Sequence, residues 1–264
     1  MVQPAGAVLL VHALQDADAS DALEEALAAE GVVCSHVPVL RRRLLPAPGA
    51  AEDLAQRVAA SPWLIWTSPY AARALAAHGV PGRCAPSRWP SMIAVGPATA
   101  AAVKTVGWCG SPLLPEQADA EGVVEVMRSA LTGPTRLVWP RSADARPTIE
   151  RFAASAGHQL DAWNLYDTVA CPEARARLSA FDLPPAVVVV TSSKTVTLFS
   201  AALEASTRAR WQKATVVSIG PITSASARRL GWTRVVEADE ASRPALVQAV
   251  LRALGELGEA GRGP

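Results

Sequence analysis

The chain has 264 residues, of which 50% are hydrophobic and 19% are charged. This composition excludes intrinsic disorder, and the length suits one large or two ordinary domains. The net charge is only +1, which argues against a nucleic-acid partner, because nucleic-acid-binding domains usually carry a basic excess. The four cysteines form no C-x-x-C pair, so we expect free thiols in a reducing compartment rather than a zinc site or a disulfide framework.

An apolar run at residues 5–14 is the first candidate for a targeting segment. No basic residue precedes it, and it is too short to span a bilayer, so it fits neither a signal peptide nor a membrane anchor. No later apolar run approaches the length of a membrane span. We therefore predict a cytoplasmic protein without a membrane partner.

Short apolar runs followed by turn sequences predict the buried strands of a parallel sheet. In chain order these runs are 8–11, 63–66, 92–95, 137–139, 187–190 and 216–219. Ala- and Leu-rich stretches between them predict helices at 22–29, 71–77, 98–106, 148–156, 196–203 and 223–230. Many of these helices end at a glycine, the usual residue of a left-handed C-cap: Gly31, Gly79, Gly107, Gly157 and Gly231. The alternation of strand and helix predicts an α/β fold.

The same landmarks occur twice along the chain. Thr-Ser at 67–68 is followed 29 residues on by Gly-Pro-Ala-Thr at 96–99, and Thr-Ser at 191–192 is followed 29 residues on by Gly-Pro-Ile-Thr at 220–223. Eleven residues after each Gly-Pro stands a Gly-Trp pair, and the offset between all three landmarks is 124. Such a period indicates two copies of one α/β unit.

Two extended stretches, 36–42 and 163–169, look like crossings between the copies. If the chain crosses twice, one domain is discontinuous. We then expect a first domain of 1–37 plus 171–255, a second domain of 43–163, and linker strands at 38–42 and 164–170. The sequence is also compatible with a simple division into domains of 1–130 and 131–264.

The turns that follow the strands carry the candidate site residues. Ser68 and Ser192 are placed to cap helices, while Thr99 and Thr223 stand in the first turn after Gly-Pro. Such helix N-termini attract anions, and open α/β sheets bind ligands at the carboxyl ends of their strands. The alternative is that each hydroxyl only caps its own helix.

Other site chemistries lack their motifs. The sequence has no G-x-x-x-x-G-K-[ST], no G-x-G-x-x-G and no G-x-S-x-G, and its four histidines lack metal-ligand spacing. We therefore expect no metal. Tyr166 lies in the predicted crossing, where its hydroxyl either reaches the cleft or packs the linker.

Together these landmarks resemble the uroporphyrinogen-III synthase family. That family shows the repeated Thr-Ser and Gly-Pro-x-Thr motifs, a central segment between two arginines, and a crossing strand with a tyrosine. The resemblance covers about residues 8–252 and includes 67–69, 94–99, 141–146, 165–168, 191–193 and 218–223. The chain departs from the pattern at 11–13, where Val-His-Ala stands for Thr-Arg-Pro. It also departs at 141–146, where Arg141 and Arg146 remain but two glycines are absent.

The resemblance implies two flavodoxin-like parallel-sheet domains joined by a two-stranded linker. It also implies cyclisation of hydroxymethylbilane to uroporphyrinogen III in the cleft between the domains, with inversion of ring D, loss of water, no cofactor and a monomeric enzyme. Tyr166 would be the catalytic proton donor. The substrate carboxylates would be bound by Ser68, Thr99, Arg146, Ser192 and Thr223. The alternative is a non-catalytic homologue that binds or senses a tetrapyrrole or a small anion, whereas a periplasmic-type receptor would need a signal peptide.

Overall fold

The structure is a computed structural model that describes residues 8–13, 17–84 and 89–260. Parts of the apolar run at 5–14 therefore lie outside the described residues. The chain divides into two compact units. Unit 1 comprises Met1–Arg42 and Val169–Pro264, and unit 2 comprises Arg43–Thr168. Within the described ranges, no helix is both long enough and apolar enough to cross a membrane.

Unit 1 is built on five parallel strands with helices on both faces. With elements numbered in chain order, its strands are β1 (Val8–Ala13), β2 (Cys34–Leu44), β7 (Val187–Val190), β8 (Thr215–Ser218) and β9 (Val235–Glu237). They lie in the order β2-β1-β7-β8-β9, which is the 2-1-3-4-5 order of flavodoxin-like sheets. Its helices are α1 (Ala17–Ala29), α7 (Ala174–Ser179), α8 (Ser193–Ala202), α9 (Ala205–Trp211), α10 (Pro221–Arg229) and α11 (Arg243–Ala260).

Unit 2 has four parallel strands in the order β4-β3-β5-β6. These strands are β3 (Trp63–Trp66), β4 (Ser91–Ala94), β5 (Arg136–Ser142) and β6 (Gln159–Ala170). Its helices are α2 (Ala51–Ala59), α3 (Pro69–Ala77), α4 (Pro97–Thr105), α5 (Ala120–Ala130) and α6 (Thr148–Ser155), with a 3-10 turn at Pro81–Arg83. The prediction of parallel α/β sheets is confirmed.

Each sheet is buried on both faces, because alternate residues of a strand point to opposite sides. In unit 1, Leu9 and Val188 join a core cluster that contains Phe199, whereas Val8 and Val187 join a second cluster under α1 and α11. In unit 2, Leu64 and Trp66 belong to one cluster, and Ile65 and Ile93 belong to another. This double burial explains why the strands read as continuous apolar runs.

The predicted repeat is confirmed at the level of elements and register. Pairing of β3 with β4 begins at Trp63 and Ser91, and pairing of β7 with β8 begins at Val187 and Thr215. Val187 stands 124 residues after Trp63, and Thr215 stands 124 residues after Ser91. Helices α4 and α10 span equivalent residues at the same offset.

The predicted left-handed glycine caps are also confirmed. All five glycines have a positive φ, between 73° and 96°. After α4, for example, Gly107 N donates to Lys104 O at 3.1 Å and Trp108 N donates to Val103 O at 3.2 Å. These two bonds form a Schellman motif, which satisfies the last carbonyls of the helix and turns Trp108 into the core.

Two strands are longer than the crossings that the sequence predicts. β2 extends two residues into unit 2, and β6 extends two residues into unit 1. Within unit 2, Leu45 N donates to Leu165 O at 2.9 Å, and within unit 1, Cys171 N donates to Val39 O at 2.9 Å. These bonds tie the ends of both strands to the units that they enter.

Candidate active site

In each unit, two helices begin directly after neighbouring strands, at the end of the sheet that we call the carboxyl edge. In unit 2 these helices are α3 after β3 and α4 after β4, and in unit 1 they are α8 after β7 and α10 after β8. The first N–H groups of a helix have no partner within the helix and favour anions. The carboxyl edge is therefore the place in each unit where ligand chemistry is expected.

The two predicted serines cap their helices. Ser68 Oγ accepts from Tyr70 N at 3.1 Å at the start of α3, and Ser192 Oγ accepts from Thr195 N at 3.1 Å at the start of α8. Ser192 Oγ also lies 2.7 Å from Thr195 Oγ1. Both hydroxyls thus have the geometry of the capping interpretation, and their contact with a ligand stays a prediction.

The two Gly-Pro helices begin differently. Gly96 and Gly220 are the N-cap residues of α4 and α10, both have extended backbones, and no side chain caps either helix. Thr99 and Thr223 are only 2% and 5% exposed in the first turns. Pro97 and Pro221 have no N–H, and Thr99 N and Thr223 N donate to Gly96 O and Gly220 O at 3.1 Å. Because the threonine hydroxyls are buried as well, we expect the N–H groups of residues 98 and 222 to be the better donors to an anion at this edge.

A pocket of about 380 Å³ opens at the carboxyl edge of unit 2. Residues within or just after each of its four strands contribute to the lining, together with residues around the start of α5. Trp139 Nε1 donates to Thr67 Oγ1 at 3.0 Å across the floor, so the indole is held in place. The lining residues are Thr67, Val95, Ala118, Asp119, Ala120, Trp139, Ser142, Ala145, Arg146 and Tyr166.

Two of the predicted site residues, Tyr166 and Arg146, meet at this pocket. Tyr166 lies at the pocket because β6 pairs with β5, and a register shift after Arg141 places Ser142 opposite Tyr166. Tyr166 O accepts from Ala143 N at 2.8 Å, which fixes the strand beside the pocket. Ser68 and Thr99 lie in the same unit but do not line the pocket, and Ser192 and Thr223 belong to unit 1.

The two arginines of the central segment have different surroundings. Arg141 is engaged within the protein: its side chain is 15% exposed, pairs with Glu150, donates to Asn164 Oδ1 at 2.8 Å, and lies over the Trp139 ring. Arg146 is 64% exposed and contacts Glu121 at 3.4 Å. Arg146 is therefore the arginine available to a carboxylate ligand.

An ion pair supports the strand next to Tyr166. Arg43 Nε donates to Asp167 Oδ1 at 3.2 Å, and a second guanidinium nitrogen donates to the other carboxylate oxygen. The hydrogen bond and the charge of Asp167 raise the pKa of Arg43 above its ordinary value. The Arg43 side chain is 59% exposed, so we expect the pair to orient the strand rather than to stabilise the fold greatly.

Sequence reasoning missed three contributors to the site. Asp119 caps α5, with Oδ1 accepting from Gly122 N at 2.7 Å, and its place before the apolar spacing of Val123 and Met127 could have revealed it. Tyr70 and Thr67 were not singled out individually, because only the folded chain brings them next to Tyr166 and Trp139. Among the described residues, no group of three His, Cys, Asp or Glu side chains is placed to hold a metal ion.

Comparison with known proteins gives a consistent result. The family model described as HEM4, uroporphyrinogen-III synthase HemD, matches residues 21–248. No curated protein matches the chain in sequence. The fold is similar to a mutant uroporphyrinogen III synthase from the extremely thermophilic bacterium Thermus thermophilus, with a TM-score of 0.58 and 16% identity over 95% of this chain and 100% of that one. It is also similar to a uroporphyrinogen-III synthetase from Helicobacter pylori, with a TM-score of 0.61 and 13% identity over 97% of this chain and 100% of that one.

Proposed function

The chain belongs to the uroporphyrinogen-III synthase family, and from that premise we propose that it cyclises hydroxymethylbilane to uroporphyrinogen III, with inversion of ring D and loss of water. The observation that carries this proposal is the pocket at the carboxyl edge of unit 2, where a phenol and an accessible guanidinium lie together. We further expect the enzyme to act as a cytoplasmic monomer.

The reaction consumes a proton when the terminal hydroxyl leaves and releases a proton when ring D becomes aromatic again. Departure of the terminal hydroxyl as water leaves an azafulvene cation on ring A, and the substituted α-carbon of ring D attacks its methylene carbon to form a spiro intermediate. The bond from that α-carbon to the methylene bridge of ring C then breaks, which leaves an azafulvene cation on ring C. The free α-carbon of ring D attacks this second cation, and ring D is thereby inverted. A proton is lost when the pyrrole regains its aromaticity. No electrons enter or leave the overall balance.

We assign the proton donation to Tyr166. Phenols have an ordinary pKa of about 10 and are protonated at neutral pH, as a donor to a leaving hydroxyl must be. Tyr166 is buried and is one of the residues that line the pocket, and we propose that its hydroxyl meets the substrate there. General acid assistance of this kind typically contributes about 10²–10⁴-fold.

Orientation is the larger part of the proposed catalysis. Hydroxymethylbilane cyclises spontaneously without inversion, so the protein has to hold the reactive cation against one carbon of ring D. The substrate carries eight carboxylates. Arg146 and the N–H groups at the uncapped starts of α4 and α10 are the groups that we propose to bind them. Thr99 and Thr223 in the first turns of these helices, and Ser68 and Ser192 at the starts of α3 and α8, would assist.

The decisive experiment mixes the purified protein with freshly generated hydroxymethylbilane and separates isomers I and III of the product. We expect isomer III with the protein and isomer I in the protein-free control. Formation of isomer I alone, at the rate of the control, would contradict the proposed reaction. Tight binding of uroporphyrinogen III in that case would identify the chain as a tetrapyrrole-binding homologue.

A further inference from the structure

We propose that Tyr70 is a positioning residue for Tyr166, whose phenol it holds in the orientation needed at the pocket. This role rests on the proposed function, in which Tyr166 donates the proton. The chain contains two tyrosines, which stand 96 residues apart in sequence, and the structure brings them into direct contact.

The two rings meet edge to face. Their centroids are 4.8 Å apart and their planes make an angle of 69°. This is a favoured arrangement for aromatic pairs, because the positive edge of one ring faces the negative face of the other. Tyr166 belongs to the buried core cluster of unit 2, and the half-buried Tyr70 packs against that cluster. The contact therefore restrains the Tyr166 ring from the protein side.

Tyr70 is itself firmly placed. Its backbone N–H donates to Ser68 Oγ, and Pro69 before it fixes the first turn of α3. One face of α3 is buried in the core, including Ala71 and Leu75. The backbone that carries the Tyr70 side chain therefore cannot move far without uncapping the helix.

The Tyr166 backbone is equally fixed, but a tyrosine ring still has two side-chain torsions. Ala143 N holds Tyr166 O, and the Arg43–Asp167 pair holds the next residue. The neighbours of the ring then decide which rotamer the phenol adopts. Tyr166 lines the pocket and Tyr70 does not, so Tyr70 acts on the pocket through Tyr166.

The repeat shows that the fold does not require an aromatic residue at this position. Helices α3 and α8 begin at equivalent residues, and the position equivalent to Tyr70 is Lys194. Unit 1 thus also begins this helix with a serine cap, although Ser192 Oγ accepts from Thr195 N, one residue after the lysine. The aromatic side chain of Tyr70 is a feature of unit 2 alone, the unit that holds the pocket and Tyr166.

The test compares Tyr70→Phe, which keeps the ring, with Tyr70→Leu, which removes it. Trp89→Leu is the matched control, because Trp89 packs against the same core cluster but contacts Trp108 rather than Tyr166. Each variant is assayed for kcat and KM with hydroxymethylbilane and for unfolding in urea. In parallel, the full chain is labelled with 3-fluorotyrosine, whose two ¹⁹F signals are assigned with Tyr70→Phe and Tyr166→Phe.

We expect Tyr70→Leu to lower kcat about ten-fold with KM within about two-fold, because misplacement of a catalytic group by 1 Å can cost about 10²-fold. Tyr70→Phe should keep kcat within about two-fold, and Trp89→Leu should lose stability but not kcat. In the Tyr166→Phe background, Tyr70→Leu should cause no further loss, since both changes act on one group. The ¹⁹F signal of Tyr166 should shift or broaden in Tyr70→Leu.

Three results would overturn the proposal: an unchanged Tyr166 signal in Tyr70→Leu, an equal fall of kcat in Trp89→Leu, or an equal fall in Tyr70→Phe. Failure of the proposed function is recognised separately, because the unaltered protein would then form no isomer III. The ¹⁹F comparison does not depend on turnover, and it decides in either case whether Tyr70 holds the Tyr166 ring.

Discussion

Residues 63–105 of unit 2 and 187–229 of unit 1 share two strands and two helices at an offset of 124, and between them unit 1 has α9 where unit 2 has the 3-10 turn at Pro81–Arg83. The register of the strands and the extended glycine before the second helix are the same in both copies. The side chains on this shared backbone differ, first in the core and then at the carboxyl edge.

In the core, the difference concerns the tryptophan after each left-handed glycine. Trp232 Nε1 donates to Ser200 Oγ at 2.9 Å in unit 1. The equivalent of Ser200 in unit 2 is Ala76, and the indole N–H of Trp108 is buried with no hydrogen-bond partner among the described residues. The indole N–H at this position therefore has a hydrogen-bond acceptor in unit 1 and lacks one among the described residues in unit 2.

At the carboxyl edge, the difference concerns access to the backbone. A Cβ placed on Gly96 would lie 3.3 Å from Ala118, because the start of α5 covers that turn. A Cβ placed on Gly220 would meet none of the described atoms within 4 Å. In unit 2 the segment before α5 lies against this turn and a pocket is found beside it, whereas the equivalent turn of unit 1 is unobstructed. One backbone thus has two different surroundings at its carboxyl edge, and we propose that unit 2 supplies the proton donor while unit 1 binds substrate carboxylates.

Of the substitutions that test this difference between the two units, we expect Tyr166→Phe to have the largest effect. The substitution keeps the ring and its contact with Tyr70 and removes the proposed proton donor. We expect turnover to fall by about 10²-fold, the lower end of general acid catalysis. The loss should be partial, because orientation and the reactivity of the substrate carry much of the rate. Rates of isomer III formation measure it, with affinity for the product expected to change little.

The unfolding midpoint in urea is the control for this variant. Full formation of isomer III by Tyr166→Phe would show that another group, such as a substrate carboxyl or a water, assists the departing hydroxyl. A loss of folded protein would instead favour the interpretation that the hydroxyl of this tyrosine packs the crossing strand.

The core difference is tested by exchanging the residues at positions 76 and 200. Ser200→Ala leaves the Trp232 N–H unpaired, and we expect it to lower the free energy of unfolding by about 1–3 kcal/mol. Ala76→Ser offers the same partner to Trp108 and should raise the free energy of unfolding by up to about 1 kcal/mol, reduced by the lower helix propensity of serine. Urea unfolding at unchanged m-value measures both changes.

Changes of opposite sign in the two variants would support the comparison. If Ala76→Ser destabilises the protein, the turn of α3 around Trp108 differs from that of α8 around Trp232, and the two copies are not equivalent at the level of side chains.

Much of the fold could be predicted from the sequence, because it depends on local patterns. Strands β3 and β7 have the predicted bounds, since a parallel strand buried on both faces reads as an uninterrupted apolar run. One strand and five helices were missed. β9 has only three half-buried residues at the edge of the sheet, which is too short for a periodic signal. α5 and α11 do carry apolar residues at helical spacing that pack in the core, so their signal was present and was not used.

The site could be predicted only in outline. The turns after the strands identified the carboxyl edges, and the resemblance identified Tyr166 and Arg146, which the structure places at one pocket. The Tyr70 contact and the Trp139–Thr67 bond join residues 96 and 72 positions apart, and single-sequence patterns do not report such pairs. Burial of Thr99 and Thr223 could not be read from their place in a first turn, where one face is buried and another is open.

The open turn of unit 1 is tested by Gly220→Ala. Neither φ nor packing requires glycine there, so the free energy of unfolding should stay within about 1 kcal/mol. If a substrate carboxylate approaches the backbone, the methyl group blocks it, and we expect KM to rise about ten-fold through one weakened charged hydrogen bond. Gly133→Ala is the matched control, because Gly133 is also unobstructed but lies in a loop away from the proposed site. A KM unchanged in both variants would argue against close approach at Gly220.

The smallest effect is expected from Thr223→Ala. Its hydroxyl lies in the first turn of α10 beside the backbone N–H groups, which survive the substitution, so we expect affinity for the product to fall only about five-fold, or about 1 kcal/mol. Thr223→Val keeps the shape of the buried side chain and should show the same loss if the hydroxyl is the cause. Thr99→Ala makes the same change in the other copy and reports whether unit 2 also binds at its second helix. Unchanged turnover and affinity in Thr223→Ala, together with a lower free energy of unfolding, would mean that this hydroxyl supports the helix and takes no part in binding.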